Sequence, residues 1–176
     1  MAASPAPVRA PTTTPPAREP AAPTRLRVPA MDLDAPVVPV GVAADGQMEV
    51  PGRISEIGWY RFGAAPGSPA GSAVLAGHVD DRVQGKGAFA DLGALRPGDE
   101  VGVGTGDGVG TGNGVVTYRV REVRSFAKEA LPVDDLFRET GPPRLVLVTC
   151  DGPFDRAARS YRDNLVVVAD PVPGAR

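Results

Sequence analysis

Proline and glycine interrupt this 176-residue chain 20 and 22 times, which leaves little room for helices of ordinary length. Proline removes a backbone donor and clashes inside a helix, and glycine weakens helices and strands alike. Between these breaks lie short runs rich in β-branched residues: Pro36 to Val42, Met48 to Val50, Ser72 to Gly77, Glu100 to Val103, Val115 to Ser125, Arg144 to Cys150 and Asn164 to Ala169. Such runs between turn residues read as strands. Several alternate, with Val116, Tyr118, Val120 and Glu122 set against Thr117, Arg119, Arg121 and Val123. The expectation is an all-β fold: a closed or nearly closed antiparallel or mixed β-barrel of about eight strands, whose closure removes aggregation-prone edges. Ile54 to Trp59, Ala88 to Leu95 and Val133 to Glu139 are the best helix candidates, each a turn or two.

From Met1 to Pro29 the chain is Ala, Pro and Thr with scattered Arg and shows no apolar periodicity. Such a composition buries too little surface to offset the entropy of ordering. Residues 1–25 are assigned as a disordered tether, 26–170 as one compact domain and 171–176 as a flexible tail. The overall formal charge is −2, and four arginines against one glutamate before Pro29 leave the remainder at −5. A mildly acidic domain without a basic stripe is a poor nucleic-acid binder. No apolar stretch of membrane-spanning length occurs, and the start lacks the apolar middle of a signal peptide. A Pro/Ala/Thr tether suits a stalk holding an extracellular domain off a membrane, with its anchor outside this sequence.

The chain holds one cysteine and one histidine, each closing an apolar run: Cys150 after Leu145–Thr149, and His78 after Ala73–Gly77. One cysteine forms no internal disulfide, and the pair supplies too few ligands for structural zinc. Nucleophile and proton-transfer partner is the sharp reading; taken singly, each is more often a packed residue at a strand end. The stretch Gly102 to Gly114 contains no phosphate-loop pattern and is expected to be a long hairpin loop. Asp80, Asp81 and Asp151 lack calcium-loop spacing and read as solvated acids beside a cleft. No metal is indicated.

Four stretches, in order, resemble the sortases, cysteine transpeptidases that join secreted proteins to bacterial cell walls. Val28-Pro29 through Asp34-Ala35-Pro36-Val37 is similar to the family's first strands, and Gly58-Trp59-Tyr60 with Pro66-Gly67 to the loop entering the histidine strand. Ser72-Ala73-Val74-Leu75-Ala76-Gly77-His78 matches the histidine motif, Leu147-Val148-Thr149-Cys150 the cysteine motif, and Tyr161-Arg162-Asp163-Asn164-Leu165-Val166-Val167 the arginine strand. The Gly-His-Val-Asp and Tyr-Arg-Asp-Asn details are most similar to classes E and F of high-GC Gram-positive bacteria, with class F preferred. One departure is Val146, where the family often has Thr.

The resemblance implies a sortase-like barrel with catalytic His78, Cys150 and Arg162. An unperturbed thiol is only a few per cent thiolate near neutrality, and a nearby cation raises that fraction. Arg162, twelve residues after Cys150, is expected to return on a neighbouring strand after a loop from Asp151 to Ser160 and to stabilise an oxyanion or clamp substrate carbonyls. Arg156 and Arg159 are read as surface residues. His78 would protonate the departing amine and deprotonate the incoming one. The implied substrate is a Leu-Pro-x-Thr-Gly-like sorting signal of a secreted protein, cleaved between Thr and Gly through a thioacyl on Cys150. An amine of a peptidoglycan precursor, or a pilin lysine, would accept the acyl group. Ala76, Val79, Leu147 and Thr149 are the substrate-binding candidates, the first three to receive its apolar side chains and Thr149 as a packing and hydrogen-bonding neighbour. No cofactor is implied, calcium dependence is not indicated, a monomer suffices, and the expected location is the outer face of the membrane or the cell wall. Two other protein classes compete with this reading. L,D-transpeptidases use a Ser-His-Gly-Cys-like signature, absent here because His78 and Cys150 are 72 residues apart. A non-catalytic peptide- or wall-binding barrel would leave Cys150 merely packed and resistant to alkylation.

Overall fold

The computed structural model describes residues 20–106 and 114–174. The chain builds strands β1 (Pro23–Val28), β2 (Leu33–Val40), β3 (Ile57–Tyr60), β4 (Ser72–Ala76), β5 (Asp80–Asp81), β6 (Gly85–Lys86), β7 (Glu100–Thr105), β8 (Val115–Ala127), β9 (Arg144–Asp155) and β10 (Ser160–Pro171). Eight of them close a barrel in the order β1-β2-β3-β4-β9-β10-β8-β7, and β5 and β6 form a separate hairpin. The pairs β2–β3 and β4–β9 are parallel and the other barrel pairs antiparallel. The closed barrel of about eight strands expected from the runs and punctuation is observed, and its two parallel pairs make it the mixed form that the resemblance allows. Among the described residues helix is limited to three short 3₁₀ turns and one α turn, α1 (Val133–Leu136).

Local structure departs from the expected elements at several places. Ile54 to Trp59, expected as helix, is a turn leading into β3, because Ile57 and Trp59 point into the barrel from alternate positions. Gly58 lies between them, where a Cβ would stand 2.9 Å from a Val40 methyl. Only Leu92–Ala94 of the second helix candidate is a 3₁₀ turn, its segment held by buried Phe89, Leu92 and Leu95 at a spacing of three. The run Met48 to Val50 contributes a single bridge, Met48 to Val42. In the Pro/Ala/Thr/Arg region, β1 occupies Pro23–Val28, so strand structure begins before Leu26. Its Leu26 and Val28 are fully buried, and backbone pairing on both sides to β2 and β7 compensates for a polar sequence. The remaining tether residues 1–19, and most of the expected loop between Gly102 and Gly114, lie outside the described residues.

Two apolar clusters face opposite sides of the wall. Leu26, Ile57, Ala73, Leu75, Leu145, Leu147, Leu165 and Val167 fill the interior with Phe89 and Leu92. Val74, Val146, Val166 and Val168 form a second cluster on the outer face, covered by Leu136 of α1. Strand β8 changes faces part-way: a bulge at Arg121, between the pairs Val168–Glu122 and Ala169–Val120, turns Tyr118 and Val120 inward below it and Val123 inward above it. The simple alternation through Glu122 and Val123 therefore does not hold.

Candidate active site

His78 follows the end of β4, and Cys150 lies mid-way along β9, its parallel neighbour. β4 and β9 pair in register through Ala76 and Val148, and the Gly77 N–H continues the ladder to the Val148 carbonyl at 3.2 Å. Two residues further along each strand come His78 and Cys150. Buried Thr149 cross-links the pair by donating its hydroxyl to the Gly77 carbonyl at 2.8 Å.

The registers arrange the outer face in rows across β4, β9, β10 and β8: Val74, Val146, Val168 and Glu122; then Ala76, Val148, Val166 and Arg124; then, across β9, β10 and β8, Cys150, Asn164 and Phe126, with His78 two residues past Ala76, beyond the last β4–β9 pair. Valine thus floors the wall behind the thiol. A depression of about 340 Å³ opens on the β8–β10 side of this face, bounded by Arg124, Phe126, Val166, Pro132 and Leu136. Arg144 anchors the segment over it, donating to Ser72 Oγ at 2.9 Å and to the backbone carbonyl and carboxylate of Asp135.

Beyond Cys150 the strands continue as a long arm rather than the expected loop from Asp151 to Ser160. Asp151 pairs with Asp163 and Phe154 with Tyr161, leaving Gly152 and Pro153 opposite Arg162. Gly152 adopts φ 75°, and a Cβ there would collide with the Asp163 carboxylate, so this bulge requires glycine. The arm is tied to the histidine side by Tyr161, whose hydroxyl donates to Asp80 Oδ2 at 2.7 Å.

His78 Nε2 lies 2.7 Å from the Pro51 carbonyl. A carbonyl only accepts, so Nε2 carries a proton and Nδ1 is the nitrogen left for further proton exchange. Burial pushes the Cys150 thiol above its ordinary value; the Lys128 ammonium pulls the other way and the Asp80 carboxylate adds to the rise. Arg162 projects from the bulge with its guanidinium 3.6 Å from Asp155 and its side chain 65% exposed.

A family model for the sortase domain matches residues 26–172. The chain belongs to the sortase family. Sortases are cysteine transpeptidases, so this is an enzyme of that class. Among solved structures, sortase C1 of Streptococcus agalactiae, in a complex with MTSET, is 20% identical over 87% of this chain and 68% of that one, with a TM-score of 0.64. Sortase C-1 of Actinomyces oris is 21% identical over 86% and 75%, with a TM-score of 0.63. A Clostridium perfringens sortase D5 transpeptidase is 18% identical over 86% and 79%, with a TM-score of 0.61. Among curated proteins none matches this chain.

In this sortase, the four substrate-contact candidates separate by face. Ala76 lies in the outer row next to Val148. Leu147 and Thr149 point into the barrel, 0% and 5% exposed, on the side opposite Cys150, so they do not line an outer cleft. The period of two along β9 makes Val146 and Val148 the same-face partners of Cys150. Val79 is half-buried in the turn after β4, and its carbonyl accepts the Gly87 N–H. Of the three acids beside the cleft, Asp80 receives Tyr161, while Asp81 caps the β5–β6 turn by accepting the Val83 and Gln84 N–H groups. The sequence carried no signal for Pro51, whose carbonyl orients the imidazole. Asn164 and Phe126 become visible only once cross-strand register is known.

Proposed function

We propose that Cys150 is the nucleophile of this sortase and His78 its acid–base partner. The placement of each residue two positions beyond the paired Ala76 and Val148 on neighbouring strands supports the reading. In the first step Sγ attacks the carbonyl carbon of the scissile amide as thiolate, and a proton from His78 Nδ1 leaves with the departing amine. A thioacyl-enzyme remains. In the second step an incoming amine gives its proton to Nδ1 and attacks the thioester, releasing Cys150. Arg162 swings from Asp155 toward the reacting carbonyl, where its fixed charge stabilises the oxyanion.

The substrate is a Leu-Pro-x-Thr-Gly-like signal, cleaved between Thr and Gly, lying along the outer face with its apolar side chains against Ala76, Val148 and neighbouring valines. The acceptor is an amine of a peptidoglycan precursor or a pilin lysine. Sortases act at the cell surface, and we place this one there, outside the membrane, as a monomer of class F on the strength of Gly77-His78-Val79-Asp80 and Tyr161-Arg162-Asp163-Asn164. A quenched fluorescent peptide bearing the signal, incubated with an added amine, tests the reading. Wild type is expected to cut at Thr–Gly and form the amine adduct, and Cys150→Ala to do neither. A folded wild-type protein that cleaves no signal variant would overturn the substrate assignment.

A further inference from the structure

Asn164 on β10 is the direct cross-strand partner of Cys150. The Gly77 N–H bonds to the Val148 carbonyl, so the peptide groups of Val148 and, two residues on, of Cys150 face β4 rather than β10. Cys150 and Asn164 therefore form a non-hydrogen-bonded antiparallel pair, the kind whose side chains stand closest, with Cβ atoms about 4.5–5.5 Å apart. Both side chains lie on the outer face, because the adjoining pair, Thr149 and Leu165, is the inward one. Asn164 is half-buried, and among the described residues its side-chain amide makes no hydrogen bond to the protein. Its neighbours on that face, Phe126 across β8 and Val166 along β10, have no polar side-chain atom to offer it. Asparagine is a poor strand former, and an unpartnered amide in a half-buried strand contributes nothing to folding that a valine would not exceed. The other polar groups around the thiol are engaged. His78 Nε2 is on the Pro51 carbonyl, Thr149 on Gly77, Tyr161 on Asp80, and Arg162 is beside Asp155 with its side chain turned largely to solvent.

We propose that Asn164 is a further catalytic residue, the resident hydrogen-bond donor to the oxygen of the carbonyl that Cys150 attacks. The inference rests on Cys150 being the nucleophile. Sγ lies one bond beyond its Cβ and Nδ2 two, so an oxygen on the carbon that joins Sγ falls within reach of an N–H contact of about 2.7–3.1 Å. As the Sγ–C bond forms, the carbonyl π pair moves onto oxygen, and Nδ2–H donates to that oxygen while keeping its proton. The pair returns to the C–O bond as the C–N bond breaks and the amine leaves with the proton from His78. The same contact serves the attack of the incoming amine on the thioester. No hydrogen bond joins Asn164 to Sγ at rest, so the amide acts on the charge that develops on oxygen and not on the resting thiol.

Two reactions of Cys150 separate these effects. Iodoacetamide alkylates the thiol by displacement at a methylene carbon and forms no oxyanion, whereas p-nitrophenyl acetate acylates it through a tetrahedral oxyanion. Both adducts are followed by mass spectrometry in wild type, Asn164→Leu and Asn164→Ala, with Cys150→Ala as the blank and circular dichroism as the check of folding. Leucine matches the shape of asparagine without its donor. Both Asn164 variants are expected to keep the wild-type alkylation rate and to lose about a hundredfold in acylation. On a cleaved signal peptide the loss should fall on kcat rather than KM. An acylation-to-alkylation ratio that falls less than about tenfold overturns the proposal. So does a parallel loss of both rates, which is lost thiol reactivity, or a peptide effect carried by KM alone, which is a binding contact. Failure of every signal peptide with the ratio effect intact would sink the substrate reading alone, whereas normal cleavage by Asn164→Leu at an unchanged ratio would sink this inference alone.

Discussion

Replacing Thr149 by Val removes one hydroxyl at nearly constant volume from the joint between the two site strands. The bond it makes to the Gly77 carbonyl is 2.8 Å long and buried. Gly77 and Thr149 are the residues immediately before His78 and Cys150. Two costs follow: the net worth of a hydrogen bond, about 1 kcal/mol, and the desolvation of a carbonyl left without that partner, about 1–2 kcal/mol more. A loss of about 2–3 kcal/mol in a domain of this size lowers Tm by about 4–12 °C. Thr149→Ser keeps the hydroxyl and gives up one methyl, about 1 kcal/mol, so it should melt between the two. Differential scanning calorimetry orders the three. The same variant should lower kcat for peptide cleavage tenfold or more, since a small misplacement of reacting groups is costly. A Thr149→Val protein that melts within about 1 °C of wild type would refute the claim that this bond couples the strands.

The two faces of β9 should respond differently to truncation. Leu147→Ala, in the interior, should cost about 2–5 kcal/mol in urea unfolding, whereas Val148→Ala, on the outer face, should cost about 1 kcal/mol or less and raise KM for the peptide; equal unfolding costs would contradict the face assignment. The elevated Cys150 thiol sets a second sign. Because burial raises its value in the folded state, the stabilisation from the neutral thiol is complete below the unfolded-chain value. It is lost as pH rises through the folded one. Wild type should therefore lose thermal stability relative to Cys150→Ala on going from neutral to strongly alkaline pH, and parallel melting curves across that range would contradict the shift.

Strand runs were legible because β-branched residues between Pro and Gly report directly on local geometry. The segments that misled were those where tertiary pairing overrides composition. β1 looks like linker until its backbone is seen bonded on both sides, and Ile54 to Trp59 mimics a helical turn because Gly58 hides an alternation. In the candidate site, His78 and Cys150 stand out as solitary chemistry-bearing residues closing apolar runs and as members of matched motifs. The side chains around them were harder, since Leu147 and Val148 are equally apolar and only parity relative to Cys150 tells inside from outside. Lys128 and Pro51 sit in segments whose sequence says nothing of their neighbours; their placement is a product of register and of the loop clamped by Gln84, which accepts the Ile54 N–H at 3.3 Å and donates to the Gly52 carbonyl at 3.0 Å.

The parallel pairing of β4 with β9 also fixes when the site comes into being. A parallel neighbour cannot be reached by a tight turn, so the chain between Ala76 and Arg144 must first go round through β7 and β8. Closing so long an excursion is slow compared with forming local hairpins. During synthesis the histidine strand therefore emerges with its partner edge open, and the thiol enters its row only when β9 slots against β4 and β10 seals the far side. A partly made or partly melted chain carries both residues without the strand pairing that brings them together.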